Sequence, residues 1–253
     1  YEIRLSLVGS EMSIRDSSCS ILEGFVPSMS VLSLPFIFKD DSHKFKVLEG
    51  KIGRELLLDG EEFWLRGLCF FDAGSRSFYT KDKPILKPSD LEGLKIRTQE
   101  SPTSMKMVQA LGGSPTPISW GELYSALQQG VVDGAENNPP SFYLSRHYEV
   151  CKYYCLDEHT AVPDILLIST KIWRDLDPKQ QTILQEAADK ALQLQKELWK
   201  KSSDNALKQV QQAGIEIFYP DKTAFADQVA PLQEKYKKDP RLADLIQRIQ
   251  SIE

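Results

Sequence analysis

The sequence predicts an α/β fold. Short apolar stretches of strand length alternate with helical periodicity along most of the 253 residues. Proline and glycine punctuate nearly every change of period. The last third opens on one helical pattern, over 178–213, that is too long for a single compact layer.

The elements follow in order. Over 42–58, Phe45, Leu48, Ile52 and Leu56 recur at helical spacing behind Ser42, a residue type that caps helix starts. Residues 63–71 are apolar and aromatic, a buried strand. Residues 86–93 read as a loop with one short turn, and 94–98 as a short strand. Ser101 and Pro102 open a helix in the cap-then-proline order, and Gly112 and Gly113 end it. Residues 114–118 are extended, because each proline biases its predecessor away from helix. Ser119 can cap a helix running to Gly130, with Glu122 at capping-box spacing. Strands are expected over 131–136, 153–160 and 165–169, with the stretch around Pro163 as a crossing between lobes. In the long pattern Leu184, Ala187, Ala188, Ala191, Leu194, Leu198 and Ala206 form an apolar stripe. At about 1.5 Å per residue such a helix exceeds about 45 Å. It lacks the sustained heptads of a coiled-coil arm. A short strand (215–219) and two helices (223–238 and 241–251) close the chain.

Composition excludes several functions. A net charge of −5 with no Lys/Arg cluster argues against nucleic-acid binding. No apolar run approaches the ~18 residues of a membrane span. The opening segment is too short and too charged for a signal peptide. Cys19, Cys69, Cys151 and Cys155 do not make a disulfide scaffold at this length and read as buried thiols; no metal-ligand spacing surrounds them. There is no Gly-x-Ser-x-Gly elbow, Gly-rich phosphate loop or His-Glu-x-x-His. His159, between acids, is a candidate general base or a strand-end histidine. No cofactor and no enzymatic activity are expected.

What stands out is an arginine segment, Gly93-Leu-Lys-Ile-Arg97, followed by Trp120 and by Val132-Asp-Gly-Ala-Glu-Asn137. A guanidinium offers a planar fork of donors that matches a carboxylate. Joined to an aromatic ring and a side-chain amide, it suits capture of a small organic acid. Read alone, Arg97 could equally be a surface cation paired with Glu100 or Glu92, Trp120 a core residue, and Asn137 a turn or cap before Pro139.

These segments, with Leu22-Glu-Gly-Phe-Val-Pro27, Leu34-Pro-Phe-Ile-Phe38 and Gly121-Glu-Leu-Tyr-Ser-Ala-Leu-Gln-Gln-Gly130, resemble the solute-binding proteins of TRAP transporters (DctP-like) in order and spacing. The resemblance implies a two-lobed, Venus-flytrap α/β fold with the long helix spanning both lobes. Lobe I would comprise 1–74 and 163–202, and lobe II 75–162 and 203–253. It implies an extracytoplasmic, periplasmic protein, a monomer, whose partners are a small organic-acid ligand and the membrane permease subunits, with transport driven by an ion gradient. The family's opening strand and helix have no counterpart here, so an incomplete first lobe is expected. Arg97 takes the family's carboxylate-binding position, Arg76 in Ala73-Gly-Ser-Arg-Ser-Phe78 a second basic position, and Asn137 an amide that touches both ligand and arginine. Trp120 would lie against a sugar ring. Glu100 would accept from hydroxyls and repel a second ligand carboxylate, with Asp72 and Glu136 as weaker candidates of that kind and Ser17 and Ser18 from the first lobe. A hexuronate such as glucuronate or galacturonate is the ligand this set implies. C4-dicarboxylates or aldonates come next, and a ligand-sensing lobe pair of a signalling system stays open.

Overall fold

The computed structural model describes residues 14–253; residues 1–13, assigned above to lobe I, lie outside the described residues. In chain order the elements are β1 (Ile14–Ser18), α1 (Cys19–Leu22), α2 (Asp41–Leu48), α3 (Lys51–Leu58), β2 (Leu65–Phe71), β3 (Arg76–Thr80), β4 (Lys95–Thr98), α4 (Pro102–Ala110), β5 (Ser114–Pro117) and α5 (Trp120–Gln128). There follow β6 (Gly134–Asn137), α6 (Pro139–Leu144), β7 (Tyr153–Thr160), β8 (Asp164–Ser169), α7 (Thr170–Asp175), α8 (Pro178–Gln212), β9 (Glu216–Phe218), α9 (Lys222–Tyr236) and α10 (Pro240–Gln250).

Among the described residues the strands form two sheets. The first has the order β1-β8-β2, antiparallel throughout. The second has the order β5-β4-β6-β3-β7-β9, with β3 antiparallel to both its neighbours and the remaining pairs parallel. Helices pack on both sheets, and on the second they bury its parallel strands. Leu22, Val47, Ile52 and Leu56 pack with Ile165 and Leu167 in the first core. Two clusters fill the second body: Tyr79, Leu127, Phe142 and Tyr154 form one, and Phe78, Ile96, Val108 and Phe225 the other.

The chain passes between the two bodies at 72–75, at 161–163, along α8, and between α9 and α10. The helix α8 has 35 residues, about 50 Å at the standard rise. A reciprocal cap fixes its start: Asp177 accepts from the Gln180 backbone N–H, and the Gln180 side chain accepts from that of Asp177. Gly214, at φ 89°, follows its end.

Its predicted apolar stripe is only half right. Ala188 and Leu192 pack on the first body and Ala206 and Val210 are buried further along, but Leu194 and Leu198 are exposed. The middle of the helix bridges the crossing instead. There Gln195 hydrogen-bonds the backbone N–H and C=O of Asp72 (2.9 and 2.7 Å), and Trp199 rests on Gly74.

Three further differences have local causes. The helix expected over 42–58 is two helices, α2 and α3, meeting at a corner. A side chain at Gly50 would sit 2.5 Å from the Lys46 carbonyl, and one at Gly53 1.8 Å from that of Leu48, so glycine permits a turn that periodicity conceals. The central strand β3 was not anticipated, because Arg76, Ser77 and Thr80 are polar yet fully enclosed. The third is α10, which the resemblance grouped with lobe II. It places Leu245, Ile246 and Ile249 in the first core.

Candidate functional site

A cleft of about 640 Å³ separates the two bodies, a size ordinary for small-molecule sites. Ser17, Ser18, Ile21 and Phe25 line it from the first body, and Arg97, Gln99, Glu100 and Trp120 from the second. Its floor comes from the crossings and their neighbours: Ala73, Arg76, Asn137, Asn138, Val162 and Asp164.

Arg97 sits near the end of β4, between parallel partners β5 and β6, at the carboxyl edge where open sheets hold ligands. Its side chain is buried. Nε donates to the Ile118 carbonyl at 2.8 Å, but Nη1 is enclosed with no partner among the described residues. Burial pulls its pKa down, with Glu136 acting in the opposite sense. An enclosed cationic donor without an acceptor is costly, and a ligand oxygen relieves the cost. The guanidinium also lies 5.5 Å from the centre of the Trp120 ring, within cation–π range.

Trp120 begins α5 and is 43% exposed at the cleft mouth. His147 meets its ring edge-on at 5.1 Å, and Tyr79 bonds His147 Nδ1 at 2.8 Å. Burial and the Arg97 charge push His147 down to about 4, so it is a neutral support for the indole at pH 7.

Arg76 contrasts with Arg97. Its Nε donates to Glu136; Nη2 donates to the Glu136 carbonyl (2.9 Å) and Oε1 (2.8 Å), and Nη1 to Asn137 Oδ1 (2.9 Å). These bonds use most of the five N–H groups a guanidinium has. Behind it, Glu136 Oε2 lies 3.6 Å from His159 Nε2, and His159 Nδ1 2.7 Å from Asp157 Oδ2. The result is an enclosed row of alternating charge: Arg76, Glu136, His159, Asp157. Burial would raise the Glu136 pKa, but Arg76 and His159 hold it at about 2. Burial would lower His159, but Asp157 and then Glu136 raise it to about 9. His159 is therefore an ion-pair member with no face on the cleft, not a free base.

The expected site residues thus divide. Arg97, Arg76, Asn137, Trp120 and Glu100 all line the cleft, as do Ser17 and Ser18. Asn137 Oδ1 accepts from Arg76 and from the Asn138 N–H, leaving its amide NH₂ for the cleft. Two placements need correcting. Glu136 is sealed behind Arg76 and serves as its counter-ion. Asp72 lies on the other side of the crossing, where it accepts from Lys44 Nζ and the Gly74 N–H, each at 2.9 Å.

Sequence reasoning also missed contacts that tie the walls together. Ser20 Oγ donates to Gln99 Oε1 at 2.8 Å. Glu23 accepts from Ser101 Oγ, Thr103 Oγ1 and the Thr103 N–H at the start of α4. Glu23 falls inside a segment the sequence singled out, but nothing in one sequence pairs it with Ser101.

Comparison with known proteins agrees with this geometry. A family model described as bacterial extracellular solute-binding protein, family 7 (DctP), matches residues 6–239. A solute-binding protein of Chromohalobacter salexigens is 37% identical over 227 residues, 89% of this chain and 68% of that protein. A TRAP periplasmic solute-binding protein from Xanthobacter autotrophicus Py2, with bound β-D-galacturonate, superposes with a TM-score of 0.95 at 37% identity, covering 100% of this chain and 84% of the other. One from Pseudomonas putida F1, with bound D-glucuronate, gives 0.95 at 37% identity, covering 100% and 82%.

Proposed function

The chain belongs to family 7 of the bacterial extracellular solute-binding proteins, and we propose that it captures a hexuronate, D-glucuronate or D-galacturonate, in the periplasm and delivers it to the membrane subunits of a TRAP transporter. The observation that carries this reading is the guanidinium edge of Arg97, buried in the cleft wall and unpartnered among the described residues. The ligand carboxylate bonds that edge, with the remaining N–H of Arg76 and the amide of Asn137 alongside. Trp120 lies against the apolar face of the sugar ring, and Glu100 accepts from its hydroxyls. The two solved relatives that carry uronates favour this ligand class.

Binding proceeds by hinge closure of one body on the other. Excluding water strengthens the Arg97–carboxylate interaction. The first lobe takes the β1-β8-β2 sheet with its helices and α10; the second takes the six-stranded sheet with α4 to α6 and α9. Kinship with extracellular solute-binding proteins favours capture over turnover. The test is a thermal-shift screen followed by titration calorimetry against uronates, aldonates and C4-dicarboxylates. A ligand that binds only the folded state raises the melting temperature by mass action. A large shift with a uronate is expected; a cleanly melting protein shifted by a dicarboxylate alone would overturn the assignment.

A further inference from the structure

The cleft contains a further charged group open to a ligand. Asp164 opens β8 just after the 161–163 crossing and lines the first-body wall. Its Cα partners are Ser18 in β1 and Phe71 in β2, and the Cys19 N–H donates to the neighbouring Pro163 carbonyl at 3.1 Å. The backbone that carries the carboxylate therefore lies on the middle strand of its sheet and is held by two ladders. Among the described residues none donates a hydrogen bond to it. The charged groups that act on it are Asp16 from β1, Asp72 from the 72–75 crossing and Arg76 from β3. Arg76 is already committed to Glu136 and Asn137. Burial, then Asp16, lift the Asp164 pKa to about 6.

Arg97 and Asp164 thus stand on opposite bodies of one cleft, the first only a donor and the second, when ionised, only an acceptor. A half-buried carboxylate gains from hydroxyl donors and is penalised by a second anion. We propose that Asp164 is a specificity-determining residue: it accepts from the hydroxyls at the end of the ligand remote from its carboxylate and excludes ligands anionic at both ends. This deepens the uronate reading of the same cleft and rests on it. Ser18, its register partner, stands beside it as a second hydroxyl contact.

The experiment compares wild type, Asp164→Asn and Asp164→Ala by titration calorimetry with D-glucuronate, D-galacturonate and D-glucarate, which carries a carboxylate at each end. Wild type is expected to favour uronate. Asp164→Asn should lose about tenfold of that preference, with weaker uronate and stronger glucarate binding. The ring-versus-chain difference between the ligands is common to all three proteins and drops out of the comparison. Wild-type uronate affinity should also rise from pH 5 to pH 7 as Asp164 ionises, while the Asn variant stays flat. A folded Asp164→Asn with an unchanged uronate-to-glucarate ratio overturns the proposal. If neither variant folds, a flat wild-type pH profile does so. Wild type that binds no uronate overturns the uronate reading itself, and the role of Asp164 with it.

Discussion

Two enclosed arginines face the same cleft, yet their surroundings assign them opposite work. Arg76 has its counter-ion, two carbonyl-type acceptors and a further pair of charges behind it. Arg97 has one backbone carbonyl and an aromatic ring. Removing a saturated cation from the interior strands the acceptors built around it. Removing an unsaturated one strands little, here the single Ile118 carbonyl. Burial alone does not distinguish a ligand-binding arginine from a structural one; the acceptors still missing do.

The sharpest way to break this contrast is Arg97→Ala. Loss of a desolvated, charge-assisted pair should cost about 3–5 kcal/mol of binding, enough to abolish a calorimetric signal with any carboxylate tested. The melting temperature of the unliganded protein should hold or rise. Retained affinity would remove Arg97 from the site. Arg76→Ala should do the reverse first. It leaves Glu136 buried without its partner, and breaking such a pair costs about 3–5 kcal/mol of fold stability, read as a lower urea midpoint before any ligand is added. An unchanged midpoint would mean the row of charges is not structural.

Glu136→Gln keeps one acceptor for Arg76 but turns an NH₂ toward its other N–H and removes the buried counter-ion. A stability loss approaching the same about 3–5 kcal/mol is expected, read as a lowered urea midpoint. The row should also be visible in pH. His159 has its pKa raised to about 9. The stability it contributes is complete below its unfolded value of about 6.5, and is lost as pH rises through about 9. The melting temperature should therefore fall between pH 7 and pH 9.5, and scanning calorimetry of His159→Gln should show a flatter profile. A wild-type protein indifferent to that window would place His159 outside the ion row. The smallest effect belongs to Trp120→Ala. The ring is half-solvated, so stability should stay put, while stacking and cation–π contacts worth about 1–2 kcal/mol leave the complex. Calorimetry would register that as a loss of about tenfold.

Much of the second body was legible in the sequence because its signals are local. Ser101 accepts from the Ser104 N–H at the head of α4 as its cap-then-proline order requires, and Gly112 follows that helix at φ 98°. Arg97, Trp120 and Asn137 owe their site roles to the family resemblance, since each read alone has an ordinary structural explanation. What escaped depends on distant partners. Glu136 looks like a cleft acid until Arg76 and His159 are placed against it, and Asp72 until Lys44 is. Asp164 attracted no attention, since a charge at the head of an apolar strand resembles an ordinary strand terminus. Ser119 was expected to cap α5 but makes no bond to the helix backbone; its Oγ donates to Glu122 instead.

The seating of α10 governs the order in which the molecule can assemble. Leu245, Ile246 and Ile249 complete a core that begins with Cys19 and Leu22. A nascent chain leaving the ribosome keeps the apolar faces of α2, α3 and β2 uncovered until residues 240–250 have been made. Neither body can form early as an independent unit, because each is assembled from segments far apart in synthesis. Contacts of such long separation close slowly. The first core therefore cannot be completed before α10 has been made.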